Sequence, residues 1–385
     1  MKELSHELEQ RNSFYLALQN SNAIDLRDKR GKVLNMSLVL CGLICSLLRG
    51  RDGSLCSLHR GMKQKQSALC STLGIEYEPV VSRSHLPVLL KKVDFNALGD
   101  LVFEHFGVDL GSDDKTWLAL DGKELRGSIL LGYTRGEAIV QVVRHEDRKV
   151  HRQLYYNGSK QSERPVVDKA LKCDILARQK LSFDALHFTP SVLGRIAQAS
   201  GIYLGGLKGN QSEVFTDMEQ ASKRLKASFE LYSKEKGHGR EETRHYKAIH
   251  IKGEYFDKRW NEAAFETLIQ VKRTRLENKR AKYSEETSYY MSNEKVTTQE
   301  QADGLFNAVR THWAIETNNH IRDVSFKEDA LKSIKNEVAL TTSVLRTLVT
   351  NILKFINPKN IVAQLDDFAE NFNELTAFLQ KVNFL

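Results

Sequence analysis

The chain has 385 residues, enough for one large domain or two to three ordinary ones with a sizeable core. Its composition, 41% hydrophobic and 28% charged with only five prolines, is that of a globular protein and excludes a fibrous or disordered class. A formal net charge of +8 favours an anionic partner, most commonly nucleic acid, although a basic surface without such a partner is an equal alternative.

The N-terminal sequence contains no apolar signal core. The most apolar run, residues 38–48, is far shorter than the roughly 20 residues that span a bilayer, and residues 338–356 are interrupted by Arg346 and Lys354. We therefore predict two buried helices, no membrane partner and a cytoplasmic location. The cysteines form no CxxC pair, which predicts buried free thiols in a reducing compartment. They are Cys41, Cys45, Cys56, Cys70 and Cys173.

Residues 1–110 have the apolar period of helices and are predicted to form a helical, DNA-binding N-terminal domain. Gly50, Gly53 and Gly74 would separate its helices. Basic residues flank the first long helix and are candidates for DNA contact, although a solvated charged rim is an equal alternative. They are Arg27, Lys29, Arg30, Lys32, Arg49 and Arg51.

Residues 111–232 change to short apolar runs separated by helical patterns. The predicted strands are 117–121, 137–143, 149–156, 180–184 and 201–207. Their βββαβα order, followed by a strand and a helix over 211–227, matches a ribonuclease H-like catalytic core, so the predicted fold class is mixed α/β. The first and fourth strands are neighbours in that fold. Asp121 and Asp184, at the ends of these strands, would therefore meet at one edge of the sheet.

Residues 233–296 have the pattern of a β-rich insertion with a basic face, which is too long for an ordinary loop and should have its own structure. Residues 297–330 return to a helical pattern that carries the last acidic residue of the catalytic core. Thr298 with Gln301 predicts a capping box, which opens one helix that continues to position 320. Residues 331–385 are predicted to form a C-terminal helical region.

Three acidic residues stand in distinctive local patterns: Asp121, Asp184 and Glu316. Two follow strand-like runs and the third lies on a helix, an arrangement suited to phosphodiester chemistry with divalent metals, because hard cations prefer oxygen ligands. Two metal ions clamp the attacking and the leaving oxygen, so no side-chain nucleophile is needed. Consistently, the chain has no GxSxG elbow, and the absence of a P-loop argues against an ATP-driven enzyme.

The helix of Glu316 also carries His312, His320 and Asp323, spaced so that all four side chains would lie on one face. The functional interpretation places Glu316 at the metal centre and the histidines near DNA phosphates. A solvated polar stripe is the alternative that helix periodicity alone favours. A zinc site formed by His312, Glu316 and His320 is a third possibility, but it would leave the aspartates without a role.

Five motifs stand in order along the chain: DGKELRGS (121–128), FDALH (183–187), YLGGLKGNQ (203–211), GHGREETR (237–244) and RTHWAIE (310–316). This series resembles the insertion-sequence DDE transposases grouped with the H-repeat-associated proteins. The preceding stretch IDLRDKRGKVLNMSLVLCGLICSLLRGRDG is similar to the helical domain before their catalytic core. The resemblance therefore extends over nearly the whole chain.

The resemblance implies a DDE triad of Asp121, Asp184 and Glu316, binding two Mg²⁺ or Mn²⁺ ions in a ribonuclease H-like core that a β-strand insertion interrupts. In the implied reaction, metal-activated water cuts double-stranded DNA at the element ends, and the freed 3′-hydroxyl then attacks target DNA. The second step conserves phosphodiester energy, so no ATP site is needed. Cutting two ends in concert suggests a homodimer on DNA.

Polar residues near the motifs are predicted to contact DNA, although an exposed charge without a specific partner is equally consistent with any one position. They are Lys123, Arg126, Lys208, Asn210, Arg240, Arg244, Arg310 and His312. Trp313 could stack on a base beside the cut, but core packing is the favoured interpretation. His187 would lie near the metals or cap the following helix.

We predict an active DNA transposase. A transposase-derived DNA-binding protein that no longer cuts is the alternative, and the presence of all three acids argues against it. A stand-alone nuclease of the same fold is a third interpretation. The large basic insertion and the additional helical domain point away from it, because a small nuclease does not need to hold two DNA ends.

Overall fold

The computed structural model describes residues 13–50, 53–107, 110, 115–158, 162–172, 174–237, 239–251, 256–277, 282–332 and 336–385. Within these residues the chain is built around one nine-stranded β-sheet. The strands are β1 (Trp117–Glu124), β2 (Glu137–Arg144), β3 (Val150–Asn157), β4 (Lys180–Phe183), β5 (Ile202–Leu207), β6 (Phe229–Gly237), β7 (Arg240–His250), β8 (Thr267–Glu277) and β9 (Lys282–Ser292).

The order of strands across the sheet is β3-β2-β1-β4-β5-β9-β8-β7-β6. β1, β2 and β3 pair antiparallel, whereas β4 lies parallel between β1 and β5. Parallel neighbours need a crossover connection, and the helix Pro190–Gln198 provides it between β4 and β5. The predicted adjacency of the first and fourth strands is confirmed.

Strands β6 to β9 lie where a β-rich insertion was predicted, and they pair antiparallel in sequence order. Because β9 also pairs with β5, they extend the central sheet instead of forming a sheet of their own. β6 is the exposed edge strand, and its charged sequence is typical of edges that avoid pairing with other chains. The division into domains at residues 110, 232, 296 and 330 stays a prediction.

Helices precede, cross and follow the sheet. They are α1 (Phe14–Asn20), α2 (Met36–Leu48), α3 (Leu55–Leu73), α4 (Leu86–Leu90), α5 (Phe95–Phe106), α6 (Glu163–Ala170), α7 (Asp174–Ala177), α8 (Pro190–Gln198), α9 (Ser212–Arg224), α10 (Gln299–Thr311), α11 (Ala314–His320), α12 (Asn336–Leu353), α13 (Ile361–Glu370) and α14 (Phe372–Lys381). The apolar runs at 38–48 and 338–356 predicted α2 and α12, and both are buried along most of their length.

Helices from the two ends of the chain share one hydrophobic core. The ring of Phe14 in α1 stacks on Phe384 with centroids 5.3 Å apart, and α2 packs against α12. The backbone N–H groups of Phe14 and Tyr15 donate to the carbonyls of Asn383 and Phe384. The helices before the sheet are therefore held in place by helices that follow it.

The described cysteines only partly match their prediction. Cys41, Cys45 and Cys70 are buried free thiols, and burial raises the pKa of Cys45 to about 12. Cys56 is exposed, so its predicted burial was wrong, because the buried face of α3 begins at Leu58 and Cys56 lies on the other side of the helix. Cys173 lies outside the described residues. None of the described helices combines the length and apolar character that crossing a membrane requires.

The basic residues around α2 are partly engaged within the protein. Arg27 and Lys32 both form ion pairs with Asp25. Arg49 is buried at the end of α2, and Arg51 lies outside the described residues. DNA contact by this region stays a prediction.

The helix predicted from Thr298 to position 320 is interrupted. The capping box of Thr298 and Gln301 is confirmed at the start of α10. His312 and Trp313 then form a turn before α11, and Ile321–Ser325 adds one π-helical turn. One continuous helix was therefore the wrong prediction. No glycine or proline marks the turn, which instead coincides with tertiary contacts of its side chains.

Candidate active site

An acidic pair lies in the middle of the sheet, at the end of the segment over which β1 and β4 run side by side. This end of the parallel strands is called the edge of the sheet below. Leu120 is opposite Phe183 in the parallel register. Asp121 and Asp184 are the residues that follow them in the two neighbouring segments of the chain. Burial, Asp184 and Glu163 together raise the pKa of Asp121 to about 7. The predicted meeting of the two aspartates is confirmed, and negative charge accumulates here. The predicted end of the first strand at Asp121 was wrong, because β1 continues to Glu124 by pairing with β2 after β4 has ended.

Glu163 is an additional acidic residue at this edge that the sequence analysis missed. It lies in the first turn of α6 and accepts hydrogen bonds from the Tyr156 hydroxyl (3.2 Å) and His187 Nε2 (2.6 Å). A Cβ at Gly122 would collide with its carboxylate, so the glycine makes room for it. Acidic residues are common in first helical turns, so the sequence offered no particular signal. Thr189, not His187, caps α8.

Glu316 lies apart from the aspartate pair. It is largely exposed on α11. Partial burial raises its pKa above the ordinary value, and the ammonium of Lys208 opposes that shift without cancelling it. Lys208 directly follows β5, so Glu316 lies near the same edge of the sheet as the aspartates. Across the described residues, however, no three His, Cys, Asp or Glu side chains are grouped closely enough to hold a metal ion.

The donor set of the aspartate pair nevertheless fits a divalent cation. Carboxylate oxygens are the ligands that Mg²⁺ prefers, and a cation would relieve the repulsion that raises the pKa of Asp121. Asp184 is held in orientation, since its Oδ1 accepts from the backbone N–H of Leu186 at 2.8 Å. Mg²⁺ commonly takes one or two protein carboxylates and completes its shell with water and phosphate oxygens.

A buried hydrogen-bond network lies beside the acidic pair. The hydroxyl of Ser182 is 2.8 Å from both His145 Nε2 and His312 Nδ1, and His145 Nδ1 is 2.6 Å from Thr311 Oγ1. Burial lowers the pKa of His145 to about 3 and that of His312 to about 4, so both rings are neutral at pH 7. A DNA contact by His312 would therefore be made by an uncharged ring.

The predicted polar stripe is not a single face. His312 is directed at the sheet, whereas Glu316 and His320 are exposed on α11. The zinc alternative was therefore wrong for these described residues, because zinc needs converging ligands. Asp323, on the π-helical turn, pairs with Lys123 instead, with Nζ 2.6 Å from Oδ1.

The His145→Gln variant should lose less stability on acidification than the natural protein. Between pH 6.5 and the folded pKa of about 3, the unfolded chain binds a proton that folded His145 does not, so stability falls as the pH falls. From pH 7 to pH 5 this amounts to about 2 kcal/mol. Urea unfolding at both pH values measures the difference, with the exposed His320→Gln as the control. Equal pH slopes in all three proteins would contradict the assignment.

Three predicted DNA-contacting residues lie around the acidic pair with different surroundings. Lys123 is only 8% exposed, and its ammonium forms an ion pair with Asp323. Asn210 donates to the carbonyl of Ala185 at 2.7 Å, which fastens the loop after Asp184. Arg126 is exposed. DNA contact by these residues, and by the exposed Lys208 beside Glu316, stays a prediction.

The other predicted arginines lie together in a groove between strands β6 to β8 and the turn before α11. This arginine groove has a volume of about 330 Å³. Trp313 also lines it and is 52% exposed, so core packing was the wrong prediction, because the turn between α10 and α11 leaves the indole at the surface. The arginine groove is lined by the arginines and the tryptophan Arg240, Arg244, Arg273, Arg275, Arg310 and Trp313.

The fold and the site define a mixed α/β protein with paired aspartates on adjacent parallel strands and a separate arginine groove. No family model matches the chain. The chain is 26% identical over 250 residues to "Putative transposase YncI" of Escherichia coli O157:H7, covering 62% of this chain and 61% of that protein. It is 27% identical over 250 residues to "H repeat-associated putative transposase YhhI" of Escherichia coli K12, covering 63% and 65%.

The chain is also 27% identical over 250 residues to "Putative protein YbfL" of Escherichia coli K12, covering 63% of this chain and 65% of that protein. The predicted resemblance to the H-repeat-associated group is confirmed, and the chain spans between 61% and 65% of these relatives. A cryo-EM structure of the piggyBac transposase synaptic complex with hairpin DNA is 10% identical, with a TM-score of 0.46, over 96% of this chain and 80% of that chain.

Proposed function

We propose that this chain is a DNA transposase that cleaves double-stranded DNA at the ends of a mobile element and joins them to target DNA. The observation that carries the proposal is the pairing of Asp121 with Asp184 at the ends of neighbouring parallel segments. The names of two relatives, which include the word transposase, support the same class.

The proposal includes a ribonuclease H-like core. It is supported by strands β1 to β5, which lie in the order β3-β2-β1-β4-β5, with the first three antiparallel and the last two parallel to β1. In such a sheet the carboxyl ends of β1, β4 and β5 meet at one edge, which is where ligands of α/β sheets bind. Asp184 and Lys208 directly follow β4 and β5, and Asp121 lies within β1 beside the end of β4.

Asp121, Asp184 and Glu316 are the proposed carboxylates of the active site. Two Mg²⁺ or Mn²⁺ ions held by them would activate water and stabilise the charge that develops on the attacked phosphate. Lys208 would neutralise a phosphate next to Glu316. The hydrogen bond from His187 would hold the Glu163 carboxylate in a fixed position beside Asp121. Glu316 remains the third acid in this proposal because its neighbour Lys208 lies at the end of β5.

The proposed partner is DNA, which the exposed Arg126 and the arginine groove would bind through its phosphates. Such contacts would position the strand without reading its sequence. Since two element ends are cut together in the proposed reaction, two copies of the chain would act as a homodimer on DNA.

A transposase-derived protein that binds DNA without cutting it is the second candidate. The separation of Glu316 from the aspartate pair favours it, because two-metal chemistry needs carboxylates that converge. The two candidates differ in cleavage and agree in DNA binding.

The test is cleavage of labelled duplexes that carry the inverted repeats flanking the gene, with scrambled ends as the matched control. We expect 3′-hydroxyl ends at the element border with Mg²⁺ or Mn²⁺, and none with EDTA, because the attacking water needs activation by the ion. Binding to both duplexes is measured in parallel. Binding to the true ends without cleavage under any divalent ion would favour the second candidate.

A further inference from the structure

We propose that the arginine groove binds an unpaired DNA strand, and that the carboxylate of Glu235 occupies the position of a backbone phosphate until that strand arrives. The proposal rests on the proposed function only in taking DNA as the partner. It assigns a role to Trp313 and to a glutamate that would otherwise weaken a DNA-binding surface.

Glu235 is held as a phosphate would be. Arg310 donates to its two carboxylate oxygens from Nε at 3.2 Å and from Nη2 at 2.9 Å, the two-pronged geometry by which arginine also binds phosphate. Nη1 of Arg244 lies 3.2 Å from the same carboxylate. A second glutamate, Glu242, pairs with Arg244 and with Arg240. The arginines are therefore arranged around an anion in the free protein.

These two carboxylates do not neutralise the groove. Six cationic side chains and two acidic ones line the groove. Three of these cations pair with carboxylates beside it: Lys236 with Glu241, Arg273 with Glu286 and Arg275 with Glu277. Six cations therefore face five carboxylates, and one positive charge remains. Exposed ion pairs are worth little in water, and Glu235 and Arg310 are both about half exposed. A phosphate, which offers more acceptor oxygens, can therefore displace the Glu235 carboxylate at modest cost.

The exposed indole of Trp313 indicates an unpaired strand as the ligand. A base inside a duplex is already stacked on both faces, whereas an unpaired base can stack on an aromatic ring. The groove of about 330 Å³ is at the lower end of ligand pockets, roughly 300–1,000 Å³, so it suits one nucleotide and not a double helix. A phosphate at Arg310 and a base on Trp313 would fill it.

The test is fluorescence anisotropy with a labelled oligothymidine and with a blunt duplex, both in EDTA so that cleavage plays no part. Glu235→Gln should bind the single strand about five- to tenfold more tightly, since the internal competitor loses its charge. Glu285→Gln is the matched control, because it removes the same charge from an exposed ion pair with Lys272 outside the groove. We expect less than a twofold change there. Trp313→Ala should weaken single-strand binding about tenfold and duplex binding little.

Equal gains for Glu235→Gln and Glu285→Gln would overturn the proposal, because net charge alone would then explain them. Equal gains on single strand and duplex would overturn the assignment of an unpaired strand. No DNA binding by the natural protein would remove this proposal and the proposed function together. Absence of metal-dependent cleavage, with the single-strand effects present, would remove the transposase reaction and leave the groove proposal standing.

Discussion

Asp184→Asn should slow metal-dependent cleavage of element ends strongly while DNA binding survives. Asparagine keeps the size and one oxygen of the side chain but removes the charge that faces Asp121. A group needed only in the transition state contributes to the rate and not to affinity, so we expect a loss of about a thousandfold, equivalent to about 4 kcal/mol of barrier. Cleavage time courses and anisotropy on the same duplex measure the two quantities.

Asp217→Asn is the matched control, because Asp217 is exposed on α9 and undergoes the same chemical change. Glu316→Gln tests the third acid separately and should reduce cleavage as strongly as Asp184→Asn, even though the free protein keeps Glu316 apart. Full activity of Glu316→Gln alongside inactive Asp184→Asn would show that another carboxylate, such as Glu163, completes the site. Full activity of Asp184→Asn would contradict the proposed mechanism.

Arg322→Met should destabilise the protein by about 3–5 kcal/mol, the usual cost of leaving one member of a buried ion pair without its partner. Arg322 is 1% exposed, and its Nε donates to Glu328 at 2.8 Å. Burial alone would raise the pKa of Glu328, but the guanidinium holds it below its ordinary value. The same guanidinium also donates to Thr347 on α12 at 2.6 Å and to Gln153 on β3 at 3.1 Å. Urea unfolding measures the loss.

Two further variants separate charge from packing. Arg322→Met combined with Glu328→Leu should recover part of the lost stability, because the Glu328 carboxylate is no longer left without Arg322. Recovery should be incomplete, because the buried Arg346 loses its main carboxylate neighbour and keeps only backbone acceptors. Arg259→Met removes an exposed arginine that pairs with Glu213 and should cost less than about 1 kcal/mol. If Arg322→Met were as mild as Arg259→Met, the buried network would not anchor the segment that follows Glu316.

Much of the architecture could be predicted because it depends on local patterns. Alternation and apolar runs predicted β1 to β5 in the right order, and the spacing of Thr298 and Gln301 predicted the start of α10. Asp121 and Asp184 could be paired in advance, since the parallel pairing of their strands places the two residues side by side, although β1 continues past Asp121 to Glu124. Their catalytic roles stay a prediction.

Other features depend on partners far away along the chain. Lys123 is paired by Asp323, 200 positions later, and no local pattern around either residue indicates the other. The same holds for Glu163, whose carboxylate lies against Gly122 beside Asp121 although 41 positions (163 minus 122) separate the two residues. A one-dimensional pattern shows which residues can be buried or charged, but not which of them meet.

Residue types and their periods were thus sufficient for the mixed α/β class, the order of the strands and the position of the acidic pair. The turn before α11, the exposure of Trp313 and the shared core of the N- and C-terminal helices came from packing alone. Helix and strand periods depend on a few neighbouring residues, so the sequence shows them directly. Burial of apolar surface and pairing of charges depend on contacts between distant segments, which form only in the folded chain.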